Sequence, residues 1–124
     1  MSDPIRILVV DDEPDTLGLI ELTLQTAGYQ VGTAYGGEDG LNLLRQEPYD
    51  LVLLDIMMPD LSGFEVIKRI QIELNQPPPV IFLSARNRPE DREEGQSLGA
   101  VDYLVKPTTR GQLLDSIEKA LTKN

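Results

Sequence analysis

The sequence contains no cysteine and no histidine. Without cysteine there is no disulfide framework, no thiolate nucleophile and no zinc site built on thiolates; without histidine, imidazole catalysis and the common transition-metal ligands are absent too. Hydrolytic triads are excluded by inventory. Basic residues are scarce as well: 11 Lys and Arg stand against 21 Asp and Glu, a formal net charge of −10 at pH 7. Nucleic acid and anionic lipid are met through basic patches, so neither is an expected direct partner. No apolar run approaches the ~20 residues that a membrane helix needs. The opening Met1-Ser2-Asp3-Pro4 lacks the basic segment and apolar core of a secretory signal. The expectation is a cytoplasmic protein with no membrane span.

What is present fits a soluble globular chain, with 40% hydrophobic and 26% charged residues over 124 positions. That length suits a single domain with one core, residues 1–124, and is too short for two. Apolar runs of strand length alternate with stretches whose apolar residues recur every three to four positions, the pattern of repeated β-α units and hence of a parallel sheet. Strands are predicted at Ile5 to Val10, Gln30 to Tyr35, Asp50 to Ile56, Val80 to Ser84 and Asp102 to Lys106. The first helix follows Asp12 or Glu13 as cap, has Pro14 in its first turn, and carries Leu17, Ile20, Leu24 and Ala27 on one face until Gly28 ends it. Three further helices are predicted at Glu38 to Gln46 (burying Leu41 and Leu44), Gly63 to Leu74 (Val66, Ile67, Ile70 and Leu74) and Gly111 to Lys123 (Leu113, Leu114, Ile117 and Leu121). Between the last two lies a helix from Pro89 to Leu98, nearly all charged or small, in which Gly95 costs ~1 kcal/mol relative to alanine. It is expected to be the loosest. Short right-handed crossovers lead to an α/β, doubly wound, three-layer sandwich with strand order 2-1-3-4-5.

The strand ends carry the chemistry. Val9-Val10 run into Asp11-Asp12, Leu53-Leu54 into Asp55, Phe82-Leu83 into Ser84, and Leu104-Val105 into Lys106. In an open parallel sheet the carboxyl ends of the strands form the ligand crevice, so these groups should converge there. Clustered carboxylates repel, and the remedies are raised pKa values or a bound cation. Oxygen-only ligands select magnesium, calcium or manganese over softer metals; magnesium is the expected occupant, with manganese as its substitute. Asp55 is then the natural nucleophile: a carboxylate can attack phosphorus to give an acyl phosphate while Lys106 offsets charge on the transferring oxygens.

With these residues in place the chain resembles the receiver domain of two-component response regulators, and the chemotaxis regulators in particular. The marks are Asp11-Asp12, the segment Asp55-Ile56-Met57-Met58-Pro59 with Gly63, Ser84-Ala85, and Lys106-Pro107, and the likeness covers essentially the whole chain. The resemblance implies a flavodoxin-like fold and a phosphorylation-dependent switch rather than a turnover enzyme. It also implies phosphorylation of Asp55 by a sensor histidine kinase, a phosphotransfer protein or a small phosphodonor. Asp11, Asp12, Asp55 and the Met57 carbonyl would serve the magnesium ion, with Ser84 as switch hydroxyl, Lys106 as phosphate-binding cation and Tyr103 as aromatic switch residue. Met57 and Arg86, two positions beyond Asp55 and Ser84, would tune the lifetime of the acyl phosphate. The Lys106-Pro107 bond is expected to be cis. A downstream protein target, or an output domain elsewhere in a longer regulator, would read the signal, and a homodimer would form through the fourth helix, fifth strand and last helix. The sequence stops at Asn124, directly after that helix, so the expectation is a stand-alone receiver or a domain cut from a larger regulator.

Competing readings remain at this stage. Strand-end aspartates also serve as turn and helix caps, Ser84 as a satisfied loop hydroxyl, Met58 as core filler, and Tyr103 as a half-buried aromatic, since strand alternation places it with Val105 and away from Lys106. A flavin-binding domain would need a glycine- and hydroxyl-rich loop where Asp11-Asp12-Glu13-Pro14-Asp15 stands. A haloacid-type phosphatase would want a second aspartate at Met57. The remaining alternative is a receiver-like binding module that signals without phosphorylation.

Overall fold

The computed structural model describes residues 3–122. Five β-α units follow one another: β1 (Arg6–Val10), α1 (Pro14–Thr26), β2 (Gln30–Ala34), α2 (Gly37–Gln46), β3 (Leu51–Leu54), α3 (Gly63–Glu73), β4 (Val80–Ser84), α4 (Pro89–Ser97), β5 (Asp102–Val105) and α5 (Arg110–Thr122). All pairings are parallel and the order is β2-β1-β3-β4-β5, the flavodoxin-like arrangement expected from the sequence.

The central strands read as continuous apolar runs because both faces of the sheet are covered. Alternate residues serve opposite cores. Ile7, Val9, Leu51, Leu53, Ile81 and Leu83 pack with Leu17, Ile20 and Leu24 of α1 and with Leu113, Ile117 and Ala120 of α5. Leu8, Val10, Val52, Leu54, Val80 and Phe82 pack with Leu41 and Leu44 of α2 and with Phe64, Val66, Ile67 and Ile70 of α3. Each fully buried Val, Leu, Ile or Phe among them contributes roughly 1.5–3 kcal/mol against an exposed one.

Helices differ in how they are anchored. α3 starts at Ser62, whose hydroxyl accepts the Glu65 N–H, and buries Gly63, Phe64, Val66, Ile67 and Ile70. α4 buries only Asp91 and Gly95. Gly28 and Gly99, just past the ends of α1 and α4, have φ of 98° and 95°, the left-handed conformation that lets glycine terminate a helix.

Several expectations need correction at element ends. Ala27 is exposed because it is the C-cap of α1, outside the buried stripe. Glu13 is the N-cap of α1, yet neither it nor Asp12 caps through its side chain; instead Asp11 Oδ1 accepts the Glu13 N–H at 2.9 Å. Leu74, Leu114 and Leu121 are only partly buried against the cores. In α5 the fully buried stripe is Leu113, Ser116, Ile117 and Ala120, because Leu114 and Leu121 fall on its shoulder. Strand β1 starts at Arg6, leaving Ile5 at 38% exposure. Lys123, the expected last helical residue, lies outside the described residues.

Candidate functional site

Register explains why the acidic residues meet. Val10 pairs with Leu54, so the chain leaves β1 and β3 at the same level and the next residues, Asp11 and Asp55, emerge side by side. The Asp55 N–H donates to the Val10 carbonyl at 3.0 Å, which ties the two exits together. Farther along the rim, Ser84 pairs with Val105, and the Lys106 N–H donates to the Ser84 carbonyl at 2.9 Å. The sheet thus delivers Asp11, Asp55 and Lys106 to one crevice, at the point where strand order reverses.

Asp11 and Asp55 are buried and Asp12 is exposed, and one carboxylate oxygen from each lies within 4.8 Å of the others. The Lys106 ammonium reaches into the group, 2.7 Å from Asp11 Oδ2 and 3.2 Å from Asp55 Oδ2. Burial of the ammonium works to lower its pKa, but the Asp11 hydrogen bond and the charges of Asp55 and Asp11 outweigh that, and the net direction is upward. Besides raised pKa values or a bound cation, carboxylate repulsion has a third remedy here, already built in, in Lys106. It relieves the repulsion in part. Three formal negative charges face one positive, and the deficit of two matches a divalent cation. All the donors are hard oxygens, so the set fits magnesium or manganese.

The chain around Asp55 fixes its carboxylate. Its Oδ1 accepts the Ile56 N–H at 2.7 Å and lies 3.4 Å from the Met57 N–H, which leaves Oδ2 toward Lys106. Gly63 makes the tight turn around it possible: a Cβ there would stand 2.3 Å from the Asp55 carbonyl oxygen and 2.9 Å from Ile56 Cα. The Met57 side chain is 58% exposed, whereas Met58 is partly buried and packs on the core. The Lys106-Pro107 peptide bond is cis.

Ser84 is fully buried, and its Oγ accepts the Arg86 N–H at 3.3 Å. Tyr103 is buried against Phe82, and its hydroxyl donates to the Arg86 carbonyl at 2.7 Å, so it reaches the β4-α4 loop rather than Lys106. The Arg86 guanidinium is turned to Asp91 at 2.6 Å.

Two residues escaped the sequence reading. Asp91 is one acid in a charged run, yet only it is buried, at 2% exposure, paired with Arg86 and Arg88. Hydrogen bonding from Arg88 comes first among the causes that hold its pKa below the usual carboxylate range, followed by the Arg86 bond and both charges, against the opposing effect of burial. Asp60, in the β3-α3 loop, accepts the Glu38 and Gly37 N–H groups at 2.9 and 3.1 Å and so caps α2 from a distant loop. The bond from Glu38 is the main cause that lowers its pKa, with burial opposing and Gly37 adding to the fall. Asp60 carries no local signal, since its partners lie in a distant element, whereas Asp91 has its arginines three and five positions earlier and only its burial is set by the fold.

An open doubly wound sheet with an acid cluster and a lysine at its switch point defines a class of protein, and the comparisons supply the family. Residues 7–118 match the model of the response regulator receiver domain, and the chain belongs to that family. It is 48% identical over 101 residues to the response regulator GtcR of Aneurinibacillus migulanus, covering 82% of this chain and 41% of that protein. Among solved structures, chemotaxis protein CheY4 of Vibrio cholerae superposes with a TM-score of 0.88 at 33% identity, over 96% of this chain and 100% of that one. Response regulator TrrA of Thermotoga maritima, solved in complex with Mg2+ and beryllofluoride, superposes with a TM-score of 0.85 at 37% identity, over 94% and 99%. The chain spans about half the length, or less, of the curated relatives it matches. It is therefore a receiver domain of the two-component type, and among the described residues no helix is long and apolar enough to cross a membrane.

Proposed function

We propose that this receiver domain is a phosphorylation-dependent switch in which Asp55 accepts a phosphoryl group from a histidine kinase, a phosphotransfer protein or a small phosphodonor. The observation that carries this reading is the setting of Asp55: a buried carboxylate fixed by the Ile56 N–H, facing the Lys106 ammonium and flanked by Asp11 and Asp12. In the transfer an Asp55 oxygen forms a bond to phosphorus while the bond from phosphorus to the donor breaks, and the donor leaves with that electron pair. Asp11, Asp12, Asp55 and the Met57 carbonyl would hold a magnesium ion, which when bound offsets charge on the transferring oxygens. Lys106 is placed to exchange its bond to Asp55 for one to a phosphoryl oxygen. Asp11 keeps the other contact and so keeps the ammonium at the site. Buried Ser84 supplies a hydroxyl from the neighbouring strand end.

Phosphorylation then changes the surface of α4, β5 and α5, which carries the signal to a downstream protein, an output domain or a second copy of the chain. Tyr103 joins β5 to the β4-α4 loop and is the residue through which β5 senses that loop. Met57 and Arg86 bear on lifetime: the exposed Met57 side chain flanks Asp55, and smaller residues at both positions should quicken phosphate loss.

The test is incubation with acetyl phosphate and magnesium, followed by intact mass. One added phosphate is expected on the wild type, none without magnesium and none on Asp55→Asn. A wild type that gains no phosphate rejects the reading and leaves the phosphorylation-independent module standing.

A further inference from the structure

Arg86 bonds three ways. Its N–H donates to Ser84 Oγ at 3.3 Å, its carbonyl accepts the Tyr103 hydroxyl at 2.7 Å, and its guanidinium donates to Asp91 Oδ1 at 2.6 Å. One residue of the β4-α4 loop therefore touches the end of β4, the middle of β5 and the first turn of α4. We propose that Asp91 is a positioning residue for the β4-α4 loop, holding Arg86 on Ser84 and forcing α4 to follow whenever Ser84 moves. The proposal rests on the phosphoacceptor reading above and deepens it.

If Ser84 turns its hydroxyl toward a phosphoryl group on Asp55, Arg86 must either follow or lose its bond to Ser84. If Arg86 follows, Asp91 must follow in turn or be left as a buried carboxylate without its better-buried partner. Breaking a buried ion pair on one side is costly. Arg88 would still hold Asp91 through two bonds, at 3.2 and 3.3 Å, but it is 63% exposed against 31% for Arg86, whose single bond is the shorter at 2.6 Å and the one that reaches back to the end of β4. Apolar packing does little to resist the motion, since the only other buried residue of α4 is Gly95. Arg92, one position on, lies 5.1 Å over the Tyr103 ring, so the helix carries the aromatic residue's surroundings with it.

Hydrogen exchange of peptides covering 85–98, with and without magnesium and beryllofluoride, tests the proposal on wild type and Asp91→Asn. In the wild type the mimic should change exchange in this segment severalfold. In Asp91→Asn basal exchange should rise, and the change on adding the mimic should fall to less than half. A merely structural role predicts the higher basal exchange with the full response retained, which overturns the proposal; so does a wild type with no response. Intact mass after acetyl phosphate and magnesium separates the two levels: Asp91→Asn should still gain one phosphate, so its lost response belongs to the ion pair. If neither protein gains phosphate, the phosphoacceptor reading fails and takes this proposal with it. Should Asp91→Asn not fold, Arg86→Gln and Arg86→Lys decide the matter. The glutamine variant should lose the response and the lysine variant keep it; an equal response in both counts against the coupling.

Discussion

The helices α3 and α4, over the two halves of the sheet, are anchored by different forces. On the β1-β3 side, every residue of Leu51–Leu54 is buried, α3 inserts Phe64, Val66, Ile67 and Ile70 into the core, and the strand ends present Asp11 and Asp55 at one level. On the β4-β5 side, α4 is held by one buried carboxylate, one glycine and the partly buried Leu98. Hydrophobic contacts are many and non-directional, so the first arrangement is stiff. Ion pairs and hydrogen bonds are few and directional, and can exchange partners with little loss of buried area. Under the proposed function Asp55 sits beside the helix with the apolar anchor and the signal leaves through the helix that can rearrange, as expected if moving elements come from the less stable parts of a fold.

The comparison breaks if the halves respond alike to equal insults. Ile67→Ala should cost ~2–5 kcal/mol in urea unfolding followed by circular dichroism, as a fully buried side chain. Leu98→Ala should cost only about 1 kcal/mol because it is partly buried. Similar losses would erase the distinction.

Glycine substitutions sharpen it. Gly63→Ala meets backbone at 2.3 Å, where something must shift, and should cost ~1–3 kcal/mol and weaken magnesium-dependent phosphorylation by intact mass. Gly95→Ala meets the Phe82 ring at 3.1 Å. There the helix gains back ~1 kcal/mol of propensity, and the net change in unfolding free energy should stay within ~1 kcal/mol of zero.

A comparably small effect is expected at Asp60, which joins the β3-α3 loop to α2. Its folded pKa lies below the ordinary value of 3.8. The stability it provides is therefore full above the unfolded pKa of ~3.9 and is lost as pH falls through the folded value. Asp60→Asn should cost about 0.5–1 kcal/mol at neutral pH, as for a helix cap. Its urea midpoint should also fall less steeply than that of the wild type below about pH 4. Parallel acid profiles would remove Asp60 from the acid-sensitive set. Asp91, also lowered, acts with the same sign and remains in both proteins.

Much of this molecule was legible in the chain. Strand and helix order, the strand sequence 2-1-3-4-5, and the meeting of Asp11, Asp12, Asp55 and Lys106 follow from apolar periodicity and from residues placed just beyond strand ends. Both are short-range patterns, and parallel topology converts position along the chain into position along one rim. Tyr103 was less legible: alternation put it on the face away from Lys106, but only the fold shows that this face meets the Arg86 carbonyl.

What the tertiary structure alone decided is which polar groups find partners. The acids of Pro89-Glu90-Asp91-Arg92-Glu93-Glu94 look equivalent in sequence, yet the fold buries Asp91 against Arg86 and leaves its neighbours in solvent. Lys106 could be read as a cation for phosphate, but its bridge between Asp11 and Asp55 depends on side-chain reach across three strands. Asp60 caps a helix that begins 23 residues earlier. Apolar burial repeats along the chain and can be read from it; a hydrogen bond depends on two groups arriving within ~3 Å, which only the folded arrangement sets.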